Sequence, residues 1–176
     1  MRRGLSGVTM DDLVASTGIS RRTIYRYFRS KEEIVSSVLE DFITTVAEKI
    51  QQALDSTDNP VNKIINVVRE ITLNIKLVDP LYLYDLQKHY PHLWEKIEQF
   101  RAERIQRVFE GFLANNEQNC FRKVHPKIFT TVLLASIRSV INPAFIVENN
   151  LRIEDAIQSL FTIFLYGIVE GNHDKG

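Results

Sequence analysis

The stretch that decides the fold is VTMDDLVASTGISRRTIYRYFRSKEEI, residues 8–34. Thr9 precedes a segment with helical apolar spacing, and Asp12 follows it by three positions. This pattern is typical of a helix N-terminus, because a hydroxyl and a carboxylate there cap free N–H groups. Gly18 ends the helix, since glycine adopts the left-handed conformation at little cost. We therefore predict a short first helix over about residues 10–16.

Two more helices are predicted in the same stretch. Ser20 is the expected N-cap of a helix over about residues 21–28. Ser30 is the expected N-cap of a long third helix, with Glu33 completing a second capping box. Two short helices joined by a tight glycine-containing turn form a helix-turn-helix unit. In such a unit, the N-terminal residues of the second helix contact base edges in the major groove of DNA.

The second helix carries residue types that suit contact with DNA. Arginine pairs bidentately with guanine, and a threonine hydroxyl or methyl group can meet a base edge. Tyrosine hydroxyls and a lysine ammonium at a helix start can bind phosphate oxygens, which position the protein without specifying sequence. Ile24 and Phe28, one turn apart, are expected to face the core. The expected base contacts are Arg21, Arg22 and Thr23, and the expected backbone contacts here are Tyr25, Tyr27 and Lys31.

This stretch closely resembles the signature of the TetR family of transcriptional regulators. Gly-Ile-Ser at residues 18–20, Thr-Ile-Tyr-x-Tyr-Phe at 23–28 and Ser-Lys-Glu-Glu at 30–33 match in order and spacing. The resemblance implies a homodimeric repressor that binds palindromic DNA and is released by a small-molecule effector. It also implies a phosphate contact for Thr9 and a dimer interface built from the last two helices.

The family normally has a further helix before this motif, ending in a turn like that at residues 3–7. We therefore expect the inner faces of Leu13, Ile24 and Phe28 to be partly uncovered. A second hypothesis stays open on this ground. It is a dimeric small-molecule-binding or interaction protein, derived from such regulators, that no longer binds DNA.

The rest of the chain predicts further helices and no sheet. Apolar residues recur at three and four positions, and no segment alternates with period two. One helix is predicted from residue 126 to about 147, with Pro143 as a kink or late break, and the last over residues 153–169. The expected fold class is all-α. We divide it into a helix-turn-helix DNA-binding region at residues 1–34, incomplete at its N-terminus, and a helical ligand-binding and dimerisation domain at 35–176.

The last helix carries no charge between Asp155 and Glu170 and is apolar nearly all round. Such a helix is buried on all sides, and a second subunit is a natural cover. The alternative is a central core helix within one subunit. The expected dimer interface comprises Phe129, Leu133, Ile137, Ile153, Ile157, Leu160, Phe161, Phe164 and Ile168.

A run of aromatic residues in the middle of the chain is the candidate ligand pocket. Pockets between helices are lined mainly by apolar and aromatic side chains. The same residues also suit an ordinary core, so both interpretations stay open. The set comprises Tyr82, Tyr84, Tyr90, Trp94 and Phe100.

Composition restricts the remaining function classes. Lys plus Arg equals Asp plus Glu at 22 each, so the chain has no net charge. Residues 1–35 carry seven basic and four acidic side chains, so the segment expected to bind DNA has a net positive charge. The single cysteine, Cys120, excludes a disulfide framework. No apolar leader or membrane span is evident, which suggests a cytoplasmic protein. No catalytic constellation or cofactor motif is evident in the sequence. A metal site is not expected either, because Pro91 separates His89 from His92.

Overall fold

The computed structural model describes residues 4–56, 58–76, 78–114 and 120–169. Within these ranges the fold is all-α, as predicted, and the only β pairing is a single bridge between Phe121 and Val169. No helix in the described ranges has both the length and the hydropathy needed to cross a membrane. After a 3₁₀ turn at Leu5–Gly7, the helices are α1 (Met10–Thr17), α2 (Arg21–Tyr27), α3 (Lys31–Leu54), α4 (Pro60–Ile75), α5 (Pro80–His89), α6 (Pro91–Ala114), α7 (Pro126–Val140), α8 (Pro143–Glu148) and α9 (Ile153–Ile168).

Three of the helix starts share one local device, an Asn or Asp followed by proline. The side chains of Asn59, Asp79 and Asn142 each accept a backbone N–H from the first turn that follows. Proline suits the next position because its missing N–H would have no helical partner there. At residue 143 this device decides between the predicted kink and the predicted break. The helix expected to run to about 147 ends at Val140, so its predicted end is wrong, and the break is confirmed because Pro143 begins a separate helix.

Among the described residues, the core consists of four apolar clusters. The first joins α3, α5 and α6 next to the N-terminal helices, and the second joins α3 to α4. The third and fourth lie around α7 and α9. Their central residues are Leu39, Leu86 and Leu93 for the first, Val46, Ile50 and Val67 for the second, Ile64, Phe129 and Leu133 for the third, and Ile146, Ile153 and Leu160 for the fourth.

The residues expected at a dimer interface lie mainly in the core of the single chain. Five of the nine are less than a tenth exposed, and the other four, Ile137, Ile157, Phe161 and Phe164, are half-buried against them. The Phe129 ring, for example, lies 5.7 Å from the Phe164 ring. A side chain already covered by its own chain has little surface left for a partner, and five of the nine predicted residues are in this position. These are Phe129, Leu133, Ile153, Leu160 and Ile168.

A different side of the last long helices carries exposed apolar residues. Ile128 and Val132 on α7 are 65% and 51% exposed, and Ile163 and Tyr166 on α9 are 66% and 73% exposed. The two members of each pair are one helical turn apart, so they lie on one side of their helix. We call these four residues the α7–α9 apolar surface.

Candidate nucleic-acid interface

The first two helices are built by the caps that the sequence predicts. Thr9 Oγ1 accepts the Asp12 N–H at 3.1 Å, and the Asp12 carboxylate accepts the Thr9 N–H at 2.8 Å, which completes the capping box. Gly18 ends α1 with φ 69°, in the left-handed region that favours glycine. Ser20 Oγ accepts the Thr23 N–H at 3.1 Å and starts α2. The predicted boundaries of both helices are confirmed to within one residue.

Helix α2 has one buried face and one exposed face. We call the N-terminal turn with α1 and α2 the head. Ile24 is 8% exposed and anchors α2 to the rest of the head. The two tyrosines point to solvent, with Tyr25 46% and Tyr27 66% exposed. Arg21 and Arg22 are exposed at the N-terminal end of the same helix. Cations and hydroxyls are therefore presented together on the side that faces away from the core.

The predicted base-contacting residues differ in their availability. Arg22 is exposed. Arg21 is exposed too, and its Nη1 lies 3.5 Å from the equally exposed Asp11 carboxylate, a weak surface pair. Thr23 is half-buried, with its hydroxyl 2.8 Å from that of Ser20. Of these three residues, Thr23 has the least freedom to meet a base.

A further arginine, Arg26, belongs to this exposed face and was not among the predicted contacts. Its Nη2 donates to the Tyr27 hydroxyl at 3.0 Å, and its guanidinium lies 4.9 Å from the centroid of the Tyr27 ring. The contact places a positive charge beside a hydroxyl that was expected to meet phosphate. The sequence signal that could have identified this contact is that Arg26 and Tyr27 are adjacent.

Lys31 begins α3 at the edge of the head. Its Nζ donates to the Ser6 carbonyl at 3.2 Å, so the side chain is held against the N-terminal turn. Ser30 caps α3 as predicted, accepting the Glu33 N–H at 3.1 Å. The second capping box is wrong in its other half, because the Glu33 carboxylate accepts the N–H of Arg29.

The N-terminal turn is also bound to the body, by which we mean helices α3–α9. The N–H and the hydroxyl of Ser6 donate to Asp85 Oδ2 on α5 at 2.8 and 2.7 Å. Gly4 allows this close approach, since a Cβ there would lie 2.2 Å from the same carboxylate oxygen. We call this the Ser6–Asp85 contact. No sequence pattern predicted it, because its partners are 79 positions apart.

The electrostatics of Asp85 follow from these neighbours. Partial burial raises the pKa of its carboxyl group. The two hydrogen bonds from Ser6, and then the charges of His89 and Lys88, stabilise the ionised form and lower the pKa by more. The net pKa is below the ordinary aspartate value, so Asp85 is a carboxylate near neutral pH.

The expected uncovering of the head is only partly seen. Leu13 and Phe28 are half-buried, as predicted, but Ile24 is buried. The prediction is therefore wrong for Ile24, which is 8% exposed.

The five aromatic residues predicted to line a pocket do not all pack together. Tyr90 and Trp94 pack against the cluster of Leu39, Leu86 and Leu93. Burial raises the pKa of the Tyr90 hydroxyl, and the charges of Glu32 and Asp85 add to the effect. The others lie apart, with Tyr82 43% exposed, Tyr84 beneath Lys88, and Phe100 beneath Arg104.

An open groove of about 390 Å³ lies between the first turns of α3 and α6. Two side-chain contacts bridge these helices here, His92 Nε2 to a Glu32 carboxylate oxygen and the Lys96 ammonium to that of Glu40, each at 3.0 Å. The groove is lined by charged and polar side chains rather than by the predicted aromatic set. In the part of the chain that the structure describes, no three His, Cys, Asp or Glu residues are grouped so as to hold a metal ion.

An exposed cationic helix on a helix-turn-helix head, joined to a helical body, defines the class of DNA-binding regulators. Residues 1–38 match the family model described as "Bacterial regulatory proteins, tetR family". The chain is 26% identical over 164 residues to the HTH-type transcriptional regulator YvaF of Bacillus subtilis, an alignment that covers 91% of this chain and 85% of YvaF. These similarities support a transcriptional regulator of the TetR family, a class of proteins that are not enzymes.

Two further similarities concern the sequence of part of the chain and the fold. Over 62 residues the chain is 39% identical to the HTH-type transcriptional repressor KstR2 of Mycolicibacterium smegmatis. This alignment covers 35% of this chain and 30% of KstR2. A crystal structure of a transcriptional regulator from Cytophaga hutchinsonii superposes with a TM-score of 0.67 at 14% identity, covering 95% of this chain and 91% of that one. The second likeness concerns the fold alone and extends over the body.

Proposed function

We propose that the protein is a ligand-responsive repressor that binds palindromic DNA as a homodimer and is released by a small-molecule effector. The observation that carries the proposal is helix α2, which buries Ile24 and exposes Arg22, Tyr25 and Tyr27. The name of the KstR2 relative, a transcriptional repressor, supports the direction of regulation. In this proposal residues 1–34 form the DNA-binding region and residues 35–176 the ligand-binding and dimerisation domain.

The head would use two kinds of contact. Base edges would be contacted from the first turn of α2, where Arg22 is the strongest candidate because it is exposed. Phosphate contacts position the protein and carry most of the salt-dependent affinity. The proposed base contacts are Arg21, Arg22 and Thr23, and the proposed phosphate contacts are Thr9, Tyr25, Tyr27 and Lys31, with Arg26 added from the structure.

Dimerisation would use the α7–α9 apolar surface. Its four residues are exposed in the single chain, and a second copy related by a two-fold axis would cover all of them. Two helices from each subunit would then form a four-helix interface. Two-fold symmetry would account for a palindromic site, and reading two half-sites one turn of DNA apart would require the two α2 helices to lie about 34–36 Å apart.

The Ser6–Asp85 contact offers a route from effector to head. Asp85 lies on α5 in the body, while Ser6 lies in the turn beside Lys31 at the start of α3. An effector that shifts α5 would move the turn, and with it α1 and α2. Release of DNA would then be a population shift between two head positions, with the effector favouring the one that does not fit the operator.

Fluorescence anisotropy on DNA tiled from the promoter region of the protein's own gene tests the proposal. We expect saturable binding to one palindromic tile, with affinity that falls as salt rises. Tyr27→Phe should weaken binding to all sequences alike, whereas Arg22→Ala should relax preference at particular base pairs. Arg69→Ala, an exposed change on α4, is the matched control and should leave binding unchanged.

Two results would contradict the proposal. A folded dimer that binds no tile would favour the small-molecule-binding protein without DNA function. Equal, sequence-independent losses from Arg22→Ala and Tyr27→Phe would remove Arg22 from the base contacts and leave it as a phosphate contact.

A further inference from the structure

The inward face of α6 is apolar except in its middle. Near its start, Trp94 and Ile97 pack against the cluster of Leu39, Leu86 and Leu93. Further along, Ile105 and Phe109 pack against the cluster that contains Phe129. Arg101 lies between these two groups, at a spacing that keeps it on the same side of the helix. A cation therefore separates two apolar clusters inside the body.

The charge around Arg101 is only partly balanced. Its Nη1 donates to Glu98 Oε1 at 2.8 Å, and Arg138 Nε from α7 lies 3.3 Å from the other oxygen of the same carboxylate. The side chains of Arg101 and Glu98 are 22% and 18% exposed, whereas that of Arg138 is 64% exposed. Among the described residues, Glu98 is the one acidic side chain within ion-pair distance of Arg101, and it serves two guanidinium groups.

The surroundings disfavour the charge of Arg101. Burial lowers the pKa of its guanidinium, Glu98 opposes that effect, and the nearby charge of Arg138 adds to it. A further anion would offset both the desolvation and the repulsion. The guanidinium can accept one, because its planar fork has five N–H donors and suits bidentate pairing with a carboxylate.

Apolar side chains lie beside this cation. The guanidinium carbon of Arg101 is 5.9 Å from the centroid of the Trp94 ring. A ligand whose anionic group met Arg101 could therefore place an apolar portion against Trp94 and its neighbours on α6. Ligand sites in proteins combine mainly apolar walls with a few polar groups that orient the ligand.

We propose that the effector is an amphiphilic anion whose carboxylate pairs with Arg101 and whose apolar part lies along the α6 side chains that flank it. The inference rests on the proposed ligand response and names the chemical class of the ligand. A carboxylate bound there would also repel Glu98 and so weaken its pairing with Arg138, the ion pair that links α6 to α7.

Two probes of equal chain length, octanoate and 1-octanol, separate the anionic contribution from the apolar one. Titration calorimetry of the full chain should give at least about ten-fold tighter binding of octanoate, the order expected of a charge-assisted pair. Arg101→Gln should bring the two affinities to within about two-fold. Arg107→Gln, an exposed change on the same helix, is the control and should keep the preference.

Arg101→Lys keeps the charge and guards against misfolding of the glutamine variant. It should retain a reduced preference for octanoate, because a lysine ammonium pairs with carboxylates as a point charge without the fork.

Equal affinity of the unmodified protein for both probes, no binding of octanoate, or an unchanged preference in Arg101→Gln would each overturn the inference. Release of DNA by both probes alike would sink the inference and leave the ligand response intact. A protein that never binds DNA would sink the proposed function, while the ratio of the two affinities would still decide the ligand class.

Discussion

Replacing Asp85 with asparagine tests the physical basis of the contact between head and body. The substitution keeps the shape and an acceptor oxygen but removes the charge that Ser6 contacts at 2.8 and 2.7 Å. Hydrogen bonds to charged groups contribute about 1.5–3 kcal/mol, and here water competes because the site is only partly buried. We expect Asp85→Asn to lower the free energy of unfolding by about 1 kcal/mol at pH 7.

The sign of the pH dependence follows from the direction of the shift. Asp85 has a lowered pKa in the folded protein, whereas an unfolded aspartate has a pKa of about 3.9. Its contribution is therefore fully present above about pH 4 and is lost as the pH falls through the folded value. The difference in stability between the unmodified protein and Asp85→Asn should accordingly vanish in acid.

Urea denaturation of both proteins from pH 7 down to about pH 3 measures this difference. Asp41→Asn, at an exposed position on α3, is the matched control and should differ little from the unmodified protein at any pH. Gly4→Ala gives an independent check, because the added Cβ would displace the Asp85 carboxylate and cost a similar amount. Equal stabilities at pH 7, or a gap that persists unchanged in acid, would refute the reasoning.

Three further predictions concern the head and the proposed interface. Gly18→Ala should destabilise the protein by roughly 1 kcal/mol in urea denaturation because φ at this position is 69°, and an unchanged midpoint would contradict the left-handed turn. Ser20→Ala should cost about 1 kcal/mol by removing the acceptor of the Thr23 N–H, and circular dichroism should show a small loss of helix; full stability would mean that the cap is dispensable. Ile163→Asp should convert a dimer to a monomer in sedimentation velocity, whereas Val38→Asp, at a position 63% exposed, should not; a dimer that survives the first change would place the interface elsewhere.

Local interactions explain why so much of the head could be predicted. A cap joins residues three positions apart, so Thr9, Ser20 and Ser30 identify helix starts without any knowledge of the fold. The same holds for Gly18, whose left-handed turn follows from the residue itself. Of the two outcomes predicted for Pro143 the structure shows the break, and the Asn142 cap explains why a new helix begins there.

The burial of the last helices could not be predicted in the same way. Helix α9 has apolar residues on most sides, so periodicity alone does not distinguish the side that meets its own chain from the side that remains exposed. Packing resolved it, with Leu160 inward and Ile163 outward. The residues expected at the interface form the most regular apolar stripe, and this stripe packs into the core of the single chain.

The amino-acid order, through capping, glycine and hydrophobic periodicity, was enough to determine the all-α class, the helix-turn-helix head and the polar composition of α2, since these depend on neighbours a few positions apart. Tertiary structure alone decided that Asp85 meets Ser6, that Glu98 pairs with both Arg101 and Arg138, and which side of α9 is exposed. Except for the Glu98–Arg101 pair within α6, these features join residues from distant parts of the chain or depend on how separate helices pack. Such contacts form only when the helices are brought together, because no local pattern encodes which distant side chain will lie opposite.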